Sequence, residues 1–261
     1  MTTTSRRLFE HVRQQSWWAV GVELAVVILG VFIGIQVSNW NQDRLARRQG
    51  EEFTARLTDD LREEDWRYQY LLAYNEEVLA NANRAVEALE GRQALDDESL
   101  LVSTYRATQY KEGLRRRSTY DELIATGTIG LIRDPTLRDT AMRVFNMRTF
   151  DNMAQEGLNS RLRIAFRMSL PNDVQRALAR NCGDKPIRPG DMASIHGTLD
   201  YPCKTGLPEP AVAEAAATLR SNPEILPALR LRIADVETRV VDLRGNYRPV
   251  MERLRAIAER H

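Results

Sequence analysis

The chain has 261 residues, 28% of them charged, with 37 basic against 36 acidic side chains and a formal net charge of +1. That balance excludes the cationic footprint of a nucleic-acid binder and leaves no acidic tail. Lysine occurs only at Lys111, Lys185 and Lys204, so the cations are almost all arginine, and the chain beyond its first 40 residues is long enough for one substantial core.

After an N-terminal tail, 1–16, the stretch Trp17 to Val37 reads WWAVGVELAVVILGVFIGIQV, with a single ionisable side chain. It matches the ~20 residues a helix needs to cross the hydrocarbon of a bilayer. Trp17 and Trp18 at one end and Trp40 at the other suit the two headgroup levels. The exit, IGIQVSNWN, lacks the small-x-small site of a cleaved signal peptide, so an uncleaved transmembrane helix is expected over 17–37. Arg6, Arg7 and Arg13 before the span balance Arg44, Arg47, Arg48 and Arg56 after it, which leaves orientation open.

At 100° per residue Glu23, Val27, Gly30 and Gly34 fall on one face of that helix. Gly30 and Gly34 have the small-xxx-small spacing that lets two backbones approach, and a protonated Glu23 can hydrogen-bond across the same seam. One reading is therefore a homo-oligomer, or docking to another membrane protein, through the span. The other places Glu23 near the interface, with incidental glycines.

Past the membrane, apolar residues recur at helical spacing from Phe53 to Leu89, predicting a long amphipathic helix continuous with the span. Gly91 and the segment ALDDES supply a stop and a new N-cap, and a second helix is expected from Ser99 to Glu112, ended by Gly113. Ser118 with Asp121 resembles a capping box opening a short helix that Gly127 and Gly130 close. Asp134 before Pro135 is an N-cap with proline at the first helical position, and the period then runs on to Phe166, predicting a third long helix. Residues 181–210 hold Pro186, Pro189, Pro202, Pro208 and Pro210, with Pro171 just upstream, and are expected to form one long Pro/Gly-rich loop. Asn222 before Pro223 caps a last helix from Ile225 to Ile257, kinked at Pro249. The fold class expected is mainly α: one transmembrane helix, then an antiparallel helical bundle whose parts, 38–180 and 211–261, flank the loop.

Two stretches, VELAVVILGVFIGIQVSNWNQDR and STYDELIATGTIGLIRDPTLRD, resemble an uncharacterised family of bacterial single-pass membrane proteins. The resemblance covers parts of the first 150 residues and implies an acid near the start of the span, here Glu23, and an Asn-Trp-Asn exit, here Asn39, Trp40 and Asn41. It also implies a Tyr-x-x-Leu-x-x-x-Gly segment, met by Tyr120, Leu123 and Gly127. Val22 separates Gly21 from the acid where the family has Gly and Glu adjacent, and the cysteine-containing loop has no counterpart there. No reaction is implied.

Cys182 and Cys203 are the only cysteines and lie in the same loop, so they are expected to form a disulfide if the compartment is oxidising. The competing readings are free thiols in a cytosolic loop, or a zinc site built with His196 and one of Asp184, Asp191 or Asp200. His11, His196 and His261 are too far apart in sequence to suggest a histidine cluster. The pairs Asp59/Asp60 and Glu63/Glu64 lie among arginines and read as a solvated, ion-paired surface. Arg115, Arg116 and Arg117 precede a helix N-terminus, which suggests anion capture or, alternatively, pairing with local acids. No phosphate loop or nucleophile elbow is present. The expectation is a noncatalytic module without cofactor or metal, single-pass in the bacterial inner membrane with a periplasmic domain, partnered by the lipid bilayer and another protein or ligand. The alternative is an enzyme or metal protein with its site in the 181–210 loop.

Overall fold

The computed structural model describes residues 17–112 and 115–259. The tail 1–16 with His11, the indole of Trp17, Gly113 and His261 lie outside the described residues. The chain is mainly helical, with no strand among the described residues, and divides into two compact units at Thr54/Ala55.

Helix α1 runs Trp17–Leu89, so the division falls within it. In the first unit its large apolar side chains are exposed from Trp18 to Leu45, Val20 at 40%, Val26 at 62% and Trp18 at 82%, and Phe53 is buried. The Arg44 guanidinium lies over the Trp40 ring, 5.9 Å from its centroid.

In the second unit the sequence pattern changes from continuous to striped, and the packing follows it. Leu57, Leu61, Val78, Ala82 and Ala85 of α1 are fully enclosed. The remaining elements are α2 (Asp97–Ala107), α3 (Ser118–Ala125), α4 (Pro135–Phe145), α5 (Thr149–Leu158) and α6 (Arg161–Ser169), then α7 (Asn172–Asn181), α8 (Glu209–Ser221), α9 (Ile225–Arg244) and α10 (Arg248–Ala258). One apolar cluster gathers Ala82, Leu101, Leu162, Leu178, Leu219 and Leu229, and a second joins Trp66, Tyr70, Tyr74 and Val78 to Ile195, Leu199, Val236 and Val240. Helix α2 packs on α8, α9 on α6 and α10 on α4.

Several expected boundaries are corrected, each for a local reason. The second helix ends at Ala107 rather than Glu112, because the buried Arg232 donates to the carbonyls of Ala107 at 3.3 Å and Gln109 at 2.9 Å. Those are carbonyls that a continuing helix would have used itself. Asp134 caps α4 as expected, accepting from the N–H groups of Thr136 and Leu137. The single long helix expected after it is three. Arg115 and Arg117 take the carbonyls of Val144, Met147 and Phe145, and Ser160 recaps the chain by accepting from the Arg163 N–H.

Pro249 does not kink a continuous helix but sits in the first turn of α10, after a break at Gly245–Tyr247. The Tyr68 hydroxyl donates to the Leu243 carbonyl at 2.8 Å, closing the end of α9. Helix α8, which the apolar period did not signal, is an alanine-rich segment with Ala216 and Leu219 in the core. Residues 182–208 do form a long loop, broken only by one 3₁₀ turn at Met192–Ser194.

Candidate functional site

Three regions carry the candidate residues. In the first, the backbone is helical through Glu23, Val27, Gly30 and Gly34, so these four share a face at the expected register. A Cβ built on Gly30 or Gly34 meets nothing within 4 Å, so the face is open for close approach.

The second is the arginine run. The Arg115 side chain is 5% exposed, and its Nε and Nη2 both donate to Glu64 Oε2, at 3.0 and 2.8 Å. Its guanidinium lies 5.6 Å from the Phe145 ring centroid and 5.5 Å from that of Phe150. Arg116 pairs with Asp60 at 3.0 Å and with Glu63 at 3.2 Å, and Arg117 with Asp121 at 2.9 Å. Each arginine of the run therefore has a carboxylate of this chain against it, and Arg115 and Arg117 also cap the C-terminus of α4.

The expected Ser118 capping box is not formed. Asp121 is turned to Arg117, and the orphan N–H of Thr119 is accepted instead by Asp60 Oδ2 at 3.2 Å. Asp60 and Glu64 are each 2% exposed, which corrects their reading as solvated surface. Burial without partners would cost several kcal/mol per charge, and the arginine run supplies the partners.

The third region is the 181–210 loop. Cys182 and Cys203 stand at disulfide distance, with S–S 2.14 Å and Cα–Cα 5.5 Å. Beside them the buried Arg106 donates to the Cys182 carbonyl at 3.2 Å and to Cys203 Sγ at 3.4 Å, and lies over the Tyr201 ring at 4.5 Å. Burial holds this guanidinium below its ordinary pKa.

Two glutamates from outside the loop fix its course. Glu77 of α1 accepts from the backbone N–H groups of Gly197, of Leu199 at 2.7 Å and of Asp200 at 3.1 Å. Glu98 of α2 accepts from the Thr205 N–H at 2.7 Å and the Thr205 hydroxyl at 2.8 Å, and pairs with Lys204 at 2.7 Å. The lysine hydrogen bond, ahead of those from Thr205, holds the Glu98 carboxyl below the usual carboxylate range.

The three aspartates offered as zinc ligands do not converge. Asp184 faces Tyr74 and Lys111, Asp200 faces Arg84, and Asp191 caps the 3₁₀ turn. Among the described residues no group of three or more histidine, cysteine, aspartate or glutamate side chains is placed to hold a metal ion. Local spacing gave no signal for Glu77 or Glu98, whose loop partners lie more than 100 residues away. The chain matches no protein-family model, no curated protein and no solved structure.

Proposed function

We propose that this chain is a membrane-tethered, noncatalytic helical module, single-pass in the bacterial inner membrane, with its soluble part folded as an antiparallel bundle in the periplasm. It acts by association with itself or another membrane protein through the Glu23, Val27, Gly30, Gly34 face, and with a partner or ligand through the bundle. The observation that carries the tether is the exposure of every large apolar side chain from Val20 to Val37. On insertion scales a dozen such residues at ~0.3–0.6 kcal/mol each outweigh one acid at ~2.5–3.5 kcal/mol. The paired position of Cys182 and Cys203 favours the oxidising side of the membrane. The resemblance carried by Glu23, Asn39, Trp40, Asn41, Tyr120, Leu123 and Gly127 points to the same class of protein.

The test is a pair of C-terminal fusions, one to an enzyme active only in the periplasm and one to a fluorophore that matures only in the cytoplasm. Activity of the first alone is expected. Fluorescence of the second alone would overturn the periplasmic assignment, and recovery of either fusion in the soluble fraction would overturn the tether. For the span face, Gly30→Leu and Gly34→Leu are expected to reduce crosslinking in membranes, since each fills the space a neighbouring backbone would occupy.

A further inference from the structure

Two adjoining cavities of about 370 and 680 Å³ open on the soluble unit between α1, the 3₁₀ turn of the loop and α10. Both fall in the size range of small-molecule sites. They share four lining residues, Asp65, Gln69, Ile195 and Arg255. Asp65 is only 4% exposed, and its one hydrogen bond among the described residues comes from the Gln69 amide, 2.9 Å from Oδ2. Its other oxygen has no partner there. Burial, partly offset by Arg255, raises the Asp65 pKa.

Arg255 lines the same cleft, close enough to influence the carboxylate, yet no ion pair within 4.0 Å joins it to Asp65 or to any other described acid. The other arginines lining the two cavities are already engaged: Arg244 with Glu76, Arg248 with Glu252, and Arg62 with Asp59. Trp66 lines the larger cavity, and its indole N–H is buried without an acceptor among the described residues. The lining of the smaller cavity also includes the apolar Leu72, Ile195 and Met251, alongside Glu76, His196 and Glu252.

A buried acid and an unpaired guanidinium that share a cleft without touching are complementary to a molecule carrying both opposite charges. We propose that the cleft binds a small zwitterion of the α-amino-acid type, its ammonium on Asp65, its carboxylate on Arg255 and an apolar side chain against Leu72 and Met251. The site belongs to the soluble unit. It goes beyond the tether reading and specifies the ligand class that the bundle takes.

The test uses the full-length protein in detergent micelles, titrated calorimetrically with L-leucine and L-phenylalanine. Isopentylamine, which lacks the carboxylate, and 4-methylpentanoate, which lacks the amine, serve as controls. At least one amino acid is expected to bind and to raise Tm, with both controls weaker by about tenfold or more. Asp65→Asn and Arg255→Gln are each expected to weaken amino-acid binding by about tenfold or more. Arg255 is exposed, so its variant decides the matter if Asp65→Asn fails to fold.

Absence of binding up to about 10 mM of either amino acid would overturn the proposal. So would equal binding of the amine, which would mark a simple cation site, or unchanged binding by Arg255→Gln. Amino-acid binding by a chain that proves not to be membrane-integrated would overturn the tether and leave this site standing.

Discussion

On one helix, the side chains from Val20 to Val37 are all exposed, while Leu57, Leu61 and Val78 are fully enclosed. The backbone solves the same problem in both places, since every internal N–H and C=O is satisfied within the helix whatever surrounds it. The difference lies in the period. A continuous apolar run presents a greasy surface on all sides and calls for lipid, whereas a stripe with acids and arginines between its apolar positions calls for protein on one side and water on the other. The lesson is that helix content says little about environment, and the arrangement of charge around the apolar residues says most.

If the second unit depends on internal pairing and the exposed apolar segment of α1 does not, the sharpest separation should come at Arg115. Arg115→Ala strands Glu64 in the interior and is expected to cost the soluble unit about 3–5 kcal/mol in chemical denaturation, without changing the membrane-bound fraction. Replacing Glu64 and Arg115 together by leucine and methionine should recover most of that loss, and failure to recover would show that Arg115 works mainly through the α4 carbonyls. The reverse experiment is Val31→Arg near the middle of the proposed span. It is expected to add about 2.5–3.5 kcal/mol to the insertion cost, read as protein released by alkaline extraction, while the denaturation midpoint of the soluble unit stays put.

Cys182→Ser with Cys203→Ser is expected to cost about 2–4 kcal/mol of soluble-unit stability in protein prepared under oxidising conditions. Equal stability of wild type before and after reduction would remove the staple from the account. Smaller again, Asp60→Asn, which keeps an acceptor for the Thr119 N–H but loses the charge facing Arg116, should cost about 1 kcal/mol.

The smallest effect is on pH. Glu98 has a lowered pKa, so it contributes stability above its ordinary value of 4.5, lost as pH falls through the folded pKa. Asp65 has a raised pKa and acts in the opposite sense, its contribution being present below its ordinary 3.8 and lost as pH rises through the folded value. Hydrogen exchange at the Thr205 amide should therefore accelerate as pH falls below 4.5 and through the folded pKa, and Glu98→Gln should abolish that dependence.

The apolar N-terminal helix, the Asp134–Pro135 cap, the cysteine pair and the long loop were legible because each is written in neighbouring residues. The breaks at Asn146–Arg148 and Asn159–Ser160 were not, because the apolar period runs through both; at the first, carbonyls are drawn away by Arg115 and Arg117, 28 to 32 residues upstream. Ser118 shows the same limit from the other side. Its spacing to Asp121 is that of a capping box, but a buried aspartate 59 positions away takes the amide. Acids were the hardest to place. Asp60 and Glu64 occur beside Asp59 and Glu63 in a sequence rich in arginine, and only the packing of the arginine run decides which of each pair is enclosed.

The ties that α1 makes are exceptionally long-range, and this has a bearing on synthesis. Glu77 waits for amides 120 to 123 residues later, Tyr68 for a carbonyl 175 residues on, and Arg62 for the Ala258 carbonyl, 196 residues on. At about 5–20 residues per second, the last of these partners leaves the ribosome roughly 10–40 seconds after α1 does. During that interval Leu57, Leu61 and the buried acids have water or a chaperone for company. A nascent chain stalled before α9 would leave Tyr68 and Arg62 of α1 without those carbonyls, and the apolar stripe that carries Trp66 and Tyr70 without Val236 and Val240 to cover it.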